Sequence, residues 1–139
     1  MLERSCGTVL FKVVDNTVYY LVIRSVKNGF CGLPKGHMEG GESEEQTAYR
    51  ETWEETSIYP EFIKGFREQT EYHLKNGNDK TVVFFLADYS GKTPAHNEGF
   101  ENLEYLDMTF EQAYAALSLT KMKAILKLAD DFIKENVLK

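Results

Sequence analysis

Short runs of β-branched and aromatic residues alternate with polar turn residues along the first part of the chain. Residues 5–14 and 17–25 are rich in Val, Ile, Tyr and Phe, a composition that is enriched in β-strands. Asp15 and Asn16 separate these two runs, and both residue types tolerate the backbone conformation of a tight hairpin turn. The pattern therefore predicts two strands that are joined as a hairpin.

A second pair of strands is predicted further along the chain. Residues 62–73 and 81–89 again contain many Val, Phe and Tyr residues, and the polar segment 76–79 between them has the composition of a turn. Residues 101–107 form a shorter candidate strand. Together with the first pair, these segments indicate a sheet of at least five strands.

The last third of the chain changes to a helical pattern. Thr109 is followed three residues later by Gln112, a capping-box spacing that predicts a helix from there to about Leu117. From Thr120 onwards, apolar residues recur at the i, i+3, i+4 spacing of an amphipathic helix. That stripe is expected to face the core: Met122, Ile125, Leu126, Ala129, Phe132 and Ile133. Strands followed by helices predict an α/β fold with a mixed sheet and helices on its faces.

A further helix is predicted in the middle of the chain. Ser43 and Gln46 have the capping-box spacing, so the helix should begin there and run to about Thr56, burying Ala48 and Thr52 with part of Tyr49 or Trp53. Residues 33–37 precede it and are expected to form a loop, followed by the glycine pair at 40–41.

This helix carries an unusual concentration of negative charge. Glu51, Glu54 and Glu55 stand at i, i+3 and i+4, so their carboxylates share one helix face. Like charges at this spacing destabilise an isolated helix by roughly 0.2–0.5 kcal/mol per pair. Hard divalent cations such as Mg²⁺ reverse that effect, because they bind converging carboxylate oxygens. The spacing therefore indicates a metal site as well as a helix.

Composition sets limits on the class of protein. With 139 residues, of which 42% are hydrophobic, we expect one domain over 1–139 with a single core. No run of eighteen apolar residues and no signal-peptide pattern occurs, so we expect a cytoplasmic protein without a membrane span. Cys6 and Cys31 are expected to be free thiols. The net charge of −6 argues against non-specific nucleic-acid binding, although bound cations would still admit a phosphate substrate.

Residues 36–58 resemble the Nudix box, G-x5-E-x7-R-E-U-x-E-E-x-G-U, in which U is a bulky apolar residue. Two positions depart from this pattern, Thr52 at an apolar position and Ser57 at the final glycine. If the glycine position requires a positive φ, Ser57 should be strained by about 1 kcal/mol. The positions that match are Gly36, Glu42, Arg50, Glu51, Glu54, Glu55 and Ile58.

The Nudix resemblance implies an α/β/α sandwich and the hydrolysis of a nucleoside diphosphate linked to another group. It implies Mg²⁺, with Mn²⁺ as a substitute, held by Glu51, Glu54, Glu55 and a backbone carbonyl near Gly36. Arg50 would orient a neighbouring glutamate, and Glu42 would support the loop or the outer metal shell. The general base varies within the family, so the resemblance does not choose among the glutamates.

Segments outside the box resemble asymmetrical diadenosine tetraphosphate hydrolases. They are residues 5–11, 33–42, 65–72, 80–87 and the strand near Glu101. By position, Lys35, His37 and Lys80 would approach the phosphates, and Tyr72 would stack on a base. Glu101 would be a further metal ligand or base, although Asn102 follows it where that group usually has histidine.

Two alternatives to the cleavage of diadenosine tetraphosphate into ATP and AMP follow from the sequence. Within the same family, the substrate would be a nucleoside triphosphate or an RNA 5′ end, but RNA favours a basic groove of which this acidic chain gives little sign. In a different class, the domain would sense nucleotides without turnover, which the intact box carboxylates disfavour. The expected partner is a small nucleotide, and the sequence makes no prediction of oligomeric state.

Overall fold

A computed structural model describes residues 2–138, with the side chain of the first of these left out. It contains seven strands and three helices within that range. In chain order they are β1 (Leu2–Val14), β2 (Thr17–Ser25), β3 (Cys31–Gly32), β4 (Lys35–His37), α1 (Glu44–Thr56), β5 (Glu68–His73), β6 (Asp79–Asp88), β7 (Leu103–Thr109), α2 (Phe110–Ala116) and α3 (Thr120–Asn136).

All seven strands belong to one mixed sheet, with β1 near its centre. The main path runs β3-β2-β1-β6-β5, with β4 also paired to β1 and β7 also paired to β2. On one edge, β1 pairs in parallel with β6 over residues 2–11. On the other edge, it pairs with β4 at 5–7 and with β2 at 11–14. Beyond residue 20, β2 no longer pairs with β1 and pairs only with β7 and β3. A gap therefore opens between β2 and β4 along this edge of β1.

The strand β4 is a correction to the loop that was expected at 33–37. Lys35–His37 pairs with β1 because β2 leaves that stretch of the β1 edge unpaired. Gly7 makes the pairing possible. A Cβ atom at this position would overlap the carbonyl oxygen of Pro34 and lie 2.6 Å from the Cβ of Lys35. A larger residue would therefore push β4 away from the sheet.

Helices cover both faces of the sheet, which confirms the predicted α/β/α sandwich. We call the side covered by α2 and α3 the α3 face, and it carries the larger core, including Val9 and Phe84 together with Leu126. We call the other side the α1 face, where Cys6 and Val83 pack with Ala48 of α1. Side chains alternate between these faces along each strand. None of the helices within residues 2–138 combines the length and apolar composition that crossing a bilayer requires.

The hydrophobic pattern located most elements correctly. Asp15 and Asn16 both have positive φ, which confirms the first hairpin turn. Both capping boxes are present, and every member of the α3 stripe except the half-buried Phe132 is buried. The strand expected at 62–73 begins only at residue 68. Phe62 forms an isolated bridge, and Gly65 at φ +99 interrupts the extended backbone.

Ser57 ends α1 in the left-handed conformation that its position in the box suggested. Its φ is 61°, and its backbone N–H donates to the carbonyl of Trp53 at 2.8 Å. The side-chain hydroxyl donates to the carbonyl of Ala95 at 3.1 Å. This bond offsets part of the strain that a residue with a Cβ carries at positive φ.

Two substitutions at Ser57 should separate the strain from the hydrogen bond. Ser57→Gly and Ser57→Ala both remove the bond to Ala95, but only glycine relieves the strain. We expect the glycine variant to be more stable than the alanine variant by about 1 kcal/mol, or about 3–5 °C in Tm. Calorimetric melting of both proteins measures this difference. Equal melting temperatures would show that residue 57 carries no backbone strain.

Candidate active site

The acidic face of α1 lies directly against β4. At Gly36, a Cβ atom would overlap the carboxyl group of Glu51. The next glutamate along the same face, Glu55, accepts a hydrogen bond from the backbone of Lys35. Two box carboxylates therefore reach the backbone of β4, and a glycine at position 36 is needed for that approach.

Burial and mutual repulsion strongly affect Glu55. Burial of its carboxyl group, followed by the negative charge of Glu51, raises the pKa of Glu55 to about 8. The Lys35 ammonium opposes this shift. Two carboxyl groups in one partly enclosed space disfavour double ionisation unless a cation lies between them. The pair therefore has the electrostatic character of a cation site.

Arg50 binds three of the box carboxylates. Its guanidinium donates to both oxygens of Glu42, at 2.7 and 3.1 Å, and to Glu51 at 2.7 Å and Glu54 at 2.8 Å. It also donates to the backbone carbonyl of His37 at 2.9 Å. A single guanidinium thus fixes the acidic face of α1 relative to β4 and to the loop that follows it.

Glu42 stabilises that loop. Its carboxylate accepts from the Arg50 guanidinium, from the backbone N–H of Glu39 at 3.0 Å and from the hydroxyl of Thr47 at 2.9 Å. The bond from Arg50 and then the bond from Glu39 lower the pKa of Glu42 to about 2. A carboxylate with this many donors is a structural anchor for the turn before α1.

The donors near β4 have the chemistry that a magnesium site requires. Glu51, Glu54 and Glu55 supply carboxylate oxygens, and the backbone at Gly36 supplies a neighbouring carbonyl group. Across residues 2–138, no group of three or more acidic, histidine or cysteine side chains is already arranged as a metal site. Instead, Arg50 binds oxygens of Glu51 and Glu54. The donor set fits the metal, and a bound ion would compete with this guanidinium.

The two predicted phosphate-binding lysines lie on the α3 face of the sheet. Lys35 lies beside Gly7 of β1, and Lys80 lies on the opposite side of β1, in register with Glu3. Burial, followed by repulsion from Lys80, lowers the pKa of Lys35. His37 is exposed at the end of β4 on the same face. These three basic groups surround one stretch of the sheet, as an anion-binding surface requires.

Tyr72 is less accessible than its predicted role in base stacking suggested. It is half-buried on β5 opposite Lys80, and it packs against the larger core. The ammonium of Lys121 lies 5.0 Å from the centre of its ring and donates to the backbone carbonyl of Glu71. Lys121 carries no recognisable sequence signal, because a lysine in the first turn of a helix belongs to no motif.

Glu101 lies apart from the acidic face of α1 in its described contacts. It is exposed in the turn before β7, and its carboxylate accepts from the backbone N–H of Gly99 at 2.6 Å. The carbonyl of the following residue, Asn102, accepts from the N–H of Val26. A role in metal binding or base catalysis would require Glu101 to leave its own turn.

Two residues that the sequence did not single out hold the C-terminal end of α1. The amide of Asn97 donates to the carbonyls of Trp53 and Glu54, at 2.7 and 3.0 Å. The hydroxyl of Tyr105 donates to the carbonyl of Glu55 at 2.5 Å. These bonds supply donors for carbonyls of the last helical turn, where the backbone ladder runs out; the carbonyl of Trp53 also accepts from the N–H of Ser57. They connect residues more than forty positions apart, so no local sequence signal identifies them.

A small pocket opens where β4 separates from β2. Its volume is about 160 Å³, and its lining includes Lys35, Glu55, Phe30, Leu103 and Met122. Typical ligand sites occupy roughly 300–1,000 Å³. The pocket therefore admits part of a nucleotide, next to both the acidic face and the lysines.

Known proteins are similar to this chain in sequence. The NUDIX domain family matches residues 4–128. The asymmetrical bis(5'-nucleosyl)-tetraphosphatase of Sus scrofa is 32% identical over 143 residues, which covers 96% of this chain and 97% of the relative. The corresponding protein of Rattus norvegicus is 29% identical over the same shares.

Solved structures show the same fold as this chain. The Ap4A hydrolase of C. elegans in a binary complex superposes with a TM-score of 0.85 at 23% identity, over 96% of this chain and 98% of that one. The NUDIX domain of Shewanella oneidensis NrtR, solved with ADP ribose, superposes with a TM-score of 0.73 at 18% identity, over 96% and 89% of the two chains. At these identities the superpositions establish the fold, and the family match covers most of the sequence. The chain belongs to the Nudix family of pyrophosphohydrolases.

Proposed function

We propose that this enzyme hydrolyses dinucleoside polyphosphates, with diadenosine tetraphosphate converted to ATP and AMP. The observation that carries the proposal is the meeting of two opposite charge clusters across β4. The carboxylates of α1 lie on one side of this strand, and Lys35 and Lys80 lie on the other. The relatives whose names specify an asymmetrical tetraphosphatase align over almost the full chain.

The two lysines would bind the phosphates. Burial, followed by repulsion from Lys80, lowers the pKa of Lys35. An anion placed between the two ammonium groups would offset that repulsion and add two favourable interactions. His37 extends this basic surface to the end of β4. Several negative charges along a polyphosphate bridge match a row of separated cations better than one terminal phosphate does.

Glu51, Glu54 and Glu55 would hold Mg²⁺ with the backbone at Gly36, and Mn²⁺ is a chemically suitable substitute. The ion would neutralise phosphate charge and lower the pKa of a bound water. Arg50 would keep the carboxylates of Glu51 and Glu54 oriented, because it already binds both.

The chain's own groups would also position the attacking water. Glu51 and Glu54 are two candidate bases, and both accept hydrogen bonds from Arg50. Glu101 is the third candidate, and it would have to exchange its bond from Gly99 for one to the water. Each of these carboxylates requires only one free oxygen to accept the proton.

Tyr72 would stack on one base of the substrate. Because Lys121 lies over the ring of Tyr72, a base could occupy that face only after the lysine turns away. Its ammonium would then be free to approach the phosphates. A cation–π contact at a partly exposed ring contributes roughly 0.5–1 kcal/mol, which a stacked base can replace.

Two features support a small nucleotide over an RNA 5′ end or a sensing role. The net charge of −6 leaves the basic surface confined to a few residues, whereas RNA binding relies on an extended basic groove. All of the box carboxylates are retained, as turnover requires. We place the reaction in the cytoplasm, which agrees with the free, buried state of both cysteines.

Neutralising one carboxylate should stop turnover without unfolding the protein. For Glu54→Gln and Glu55→Gln, we expect turnover to fall by at least ~10²-fold, because metal activation of water is lost. The exposed Glu45 in the first turn of α1 provides the matched control Glu45→Gln, which should stay near wild type. Steady-state rates with Mg²⁺ and melting curves without it are the measurements. Full activity of both active-site variants, or activity in excess chelator, contradicts the metal site.

The identity of the products should distinguish asymmetrical from symmetrical cleavage. Diadenosine tetraphosphate should give ATP and AMP, because water attacks a phosphorus at one end of the bridge. Reaction in ¹⁸O-water, followed by mass spectrometry, identifies the labelled product. Nucleoside triphosphates and capped or triphosphorylated RNA should turn over more slowly in parallel assays. Two equivalents of ADP would rule out the asymmetrical assignment and leave the family assignment intact.

Removing one lysine should weaken the binding of long phosphate bridges most. For Lys80→Met, we expect KM for diadenosine tetraphosphate to rise about five- to tenfold, roughly 1–1.4 kcal/mol, with a larger effect at low salt. A triphosphate bridge should be affected less. Lys127→Met is the control, because Lys127 pairs with Asp131 on the exposed side of α3. If the Lys80 and Lys127 variants behave alike, Lys80 does not bind phosphate.

A further inference from the structure

Buried polar groups in folded proteins almost always have a hydrogen-bond partner. Within residues 2–138, the buried side-chain polar atoms that lack one are the hydroxyl oxygens of Ser5 and Tyr72. Ser5 is fully buried, and Tyr72 is half-buried with its hydroxyl enclosed. An unpaired buried hydroxyl opposes folding, so its presence needs an explanation.

Both hydroxyls lie on the α3 face, in the region that also holds the basic side chains. Ser5 of β1 pairs with His37 of β4 on one side and with Val82 of β6 on the other. Tyr72 pairs with Lys80. Val82 and Tyr72 belong to the larger core, which establishes the face. Lys35, two residues before His37 on β4, faces the same way beside Gly7.

The charges on this surface favour an anion. Lys35 and Lys80 lie close enough for Lys80 to lower the pKa of Lys35. Glu3 is the acidic residue in register with Lys80, and its carboxylate accepts a hydrogen bond from the amide of Asn78 at 2.9 Å. The two unpaired hydroxyls therefore lie on the same face of the sheet as these lysines.

Elsewhere the fold does provide partners for buried hydroxyls. On the same face of the sheet, the hydroxyl of Tyr20 donates to Asp130 at 2.6 Å. On the other face, the hydroxyls of Thr8 and Thr52 bond to each other at 2.7 Å. The unpaired donors are thus confined to the surroundings of the basic residues.

We propose that the hydroxyls of Ser5 and Tyr72 donate hydrogen bonds to phosphate oxygens of the bound polyphosphate. Ser5 acts beside His37 and Lys35, and Tyr72 acts beside Lys80. Because Ser5 is fully buried, a phosphate oxygen can reach its hydroxyl only when a neighbouring side chain moves away. This role rests on the proposed function, and it is separate from the stacking of the Tyr72 ring on a base.

Three conservative substitutions test the role of the hydroxyl groups. Ser5→Ala and Tyr72→Phe each remove one unpaired hydroxyl, and Tyr72→Phe keeps the ring for stacking. Tyr20→Phe is the matched control, since it removes a buried phenolic hydroxyl that has an internal partner. Three measurements apply to each full-length protein. They are Tm without ligand, the Kd of inorganic tripolyphosphate with Mg²⁺ by titration calorimetry, and kcat and KM for diadenosine tetraphosphate.

We expect Ser5→Ala and Tyr72→Phe to raise the Kd of tripolyphosphate about tenfold, which corresponds to about 1.4 kcal/mol. KM should rise by a similar factor, and kcat should change less than about twofold, because neither hydroxyl touches the attacking water. The Tm of both variants should equal or exceed that of wild type, since an unpaired buried hydroxyl is removed. Tyr20→Phe should show the opposite result, with a lower Tm and unchanged Kd.

The inference is overturned if both variants bind tripolyphosphate as tightly as wild type, or if wild type does not bind it. A loss of Tm like that of Tyr20→Phe would also overturn it, because the hydroxyls would then have partners within the protein. Failure of the proposed function would look different. Wild type would leave diadenosine tetraphosphate intact, while tripolyphosphate binding would still depend on Ser5 and Tyr72.

Discussion

The active site depends on how closely α1, β4 and β1 approach one another. Gly7 allows β4 to pair with β1, and Gly36 allows the carboxyl group of Glu51 to reach β4. At Gly7 a Cβ atom would overlap the backbone of β4 and push that strand away, and at Gly36 it would displace the carboxyl group of Glu51. The carboxylates of α1 and the side chain of Lys35 are separated by β4 alone, because these two positions carry no side chain. Arg50 then fixes the spacing by binding α1 and the carbonyl of His37 together.

Opposite charges are concentrated here without neutralising each other fully. The Arg50 guanidinium neutralises part of the negative charge of the box, whereas Glu55 remains close to Glu51 with its pKa raised. On the other side of β4, Lys35 and Lys80 repel each other. In the proposed function, a metal ion would relieve the first repulsion and a phosphate chain would relieve the second. Binding both together would then be favourable, because each would reduce a repulsion that the free protein contains.

Local sequence patterns predicted those parts of the molecule that local interactions determine. The capping box at Ser43, the positive φ of Ser57 and the buried stripe of α3 all depend on neighbours within about four residues. The strand at Lys35–His37 could not be predicted in this way, since it forms only because β2 leaves the edge of β1. The bonds from Asn97 and Tyr105 to α1 and the contact of Lys121 with Tyr72 are equally long-range.

The fold gives up stability unevenly, and the loss is concentrated around β4. Tyr20 and Asp130 form a buried bond that stabilises the large core far from β4. Around β4, by contrast, the protein retains a buried carboxyl group with a raised pKa, two adjacent lysines and an unpaired hydroxyl at Ser5. Each feature disfavours folding on its own, and each is reversed by a ligand of opposite charge or by an acceptor oxygen. These groups come from α1, β4, β6 and β1, which meet in this part of the fold. If the proposed function holds, a metal ion and a polyphosphate bound there would satisfy them together, and the instability of the free site would contribute to substrate binding.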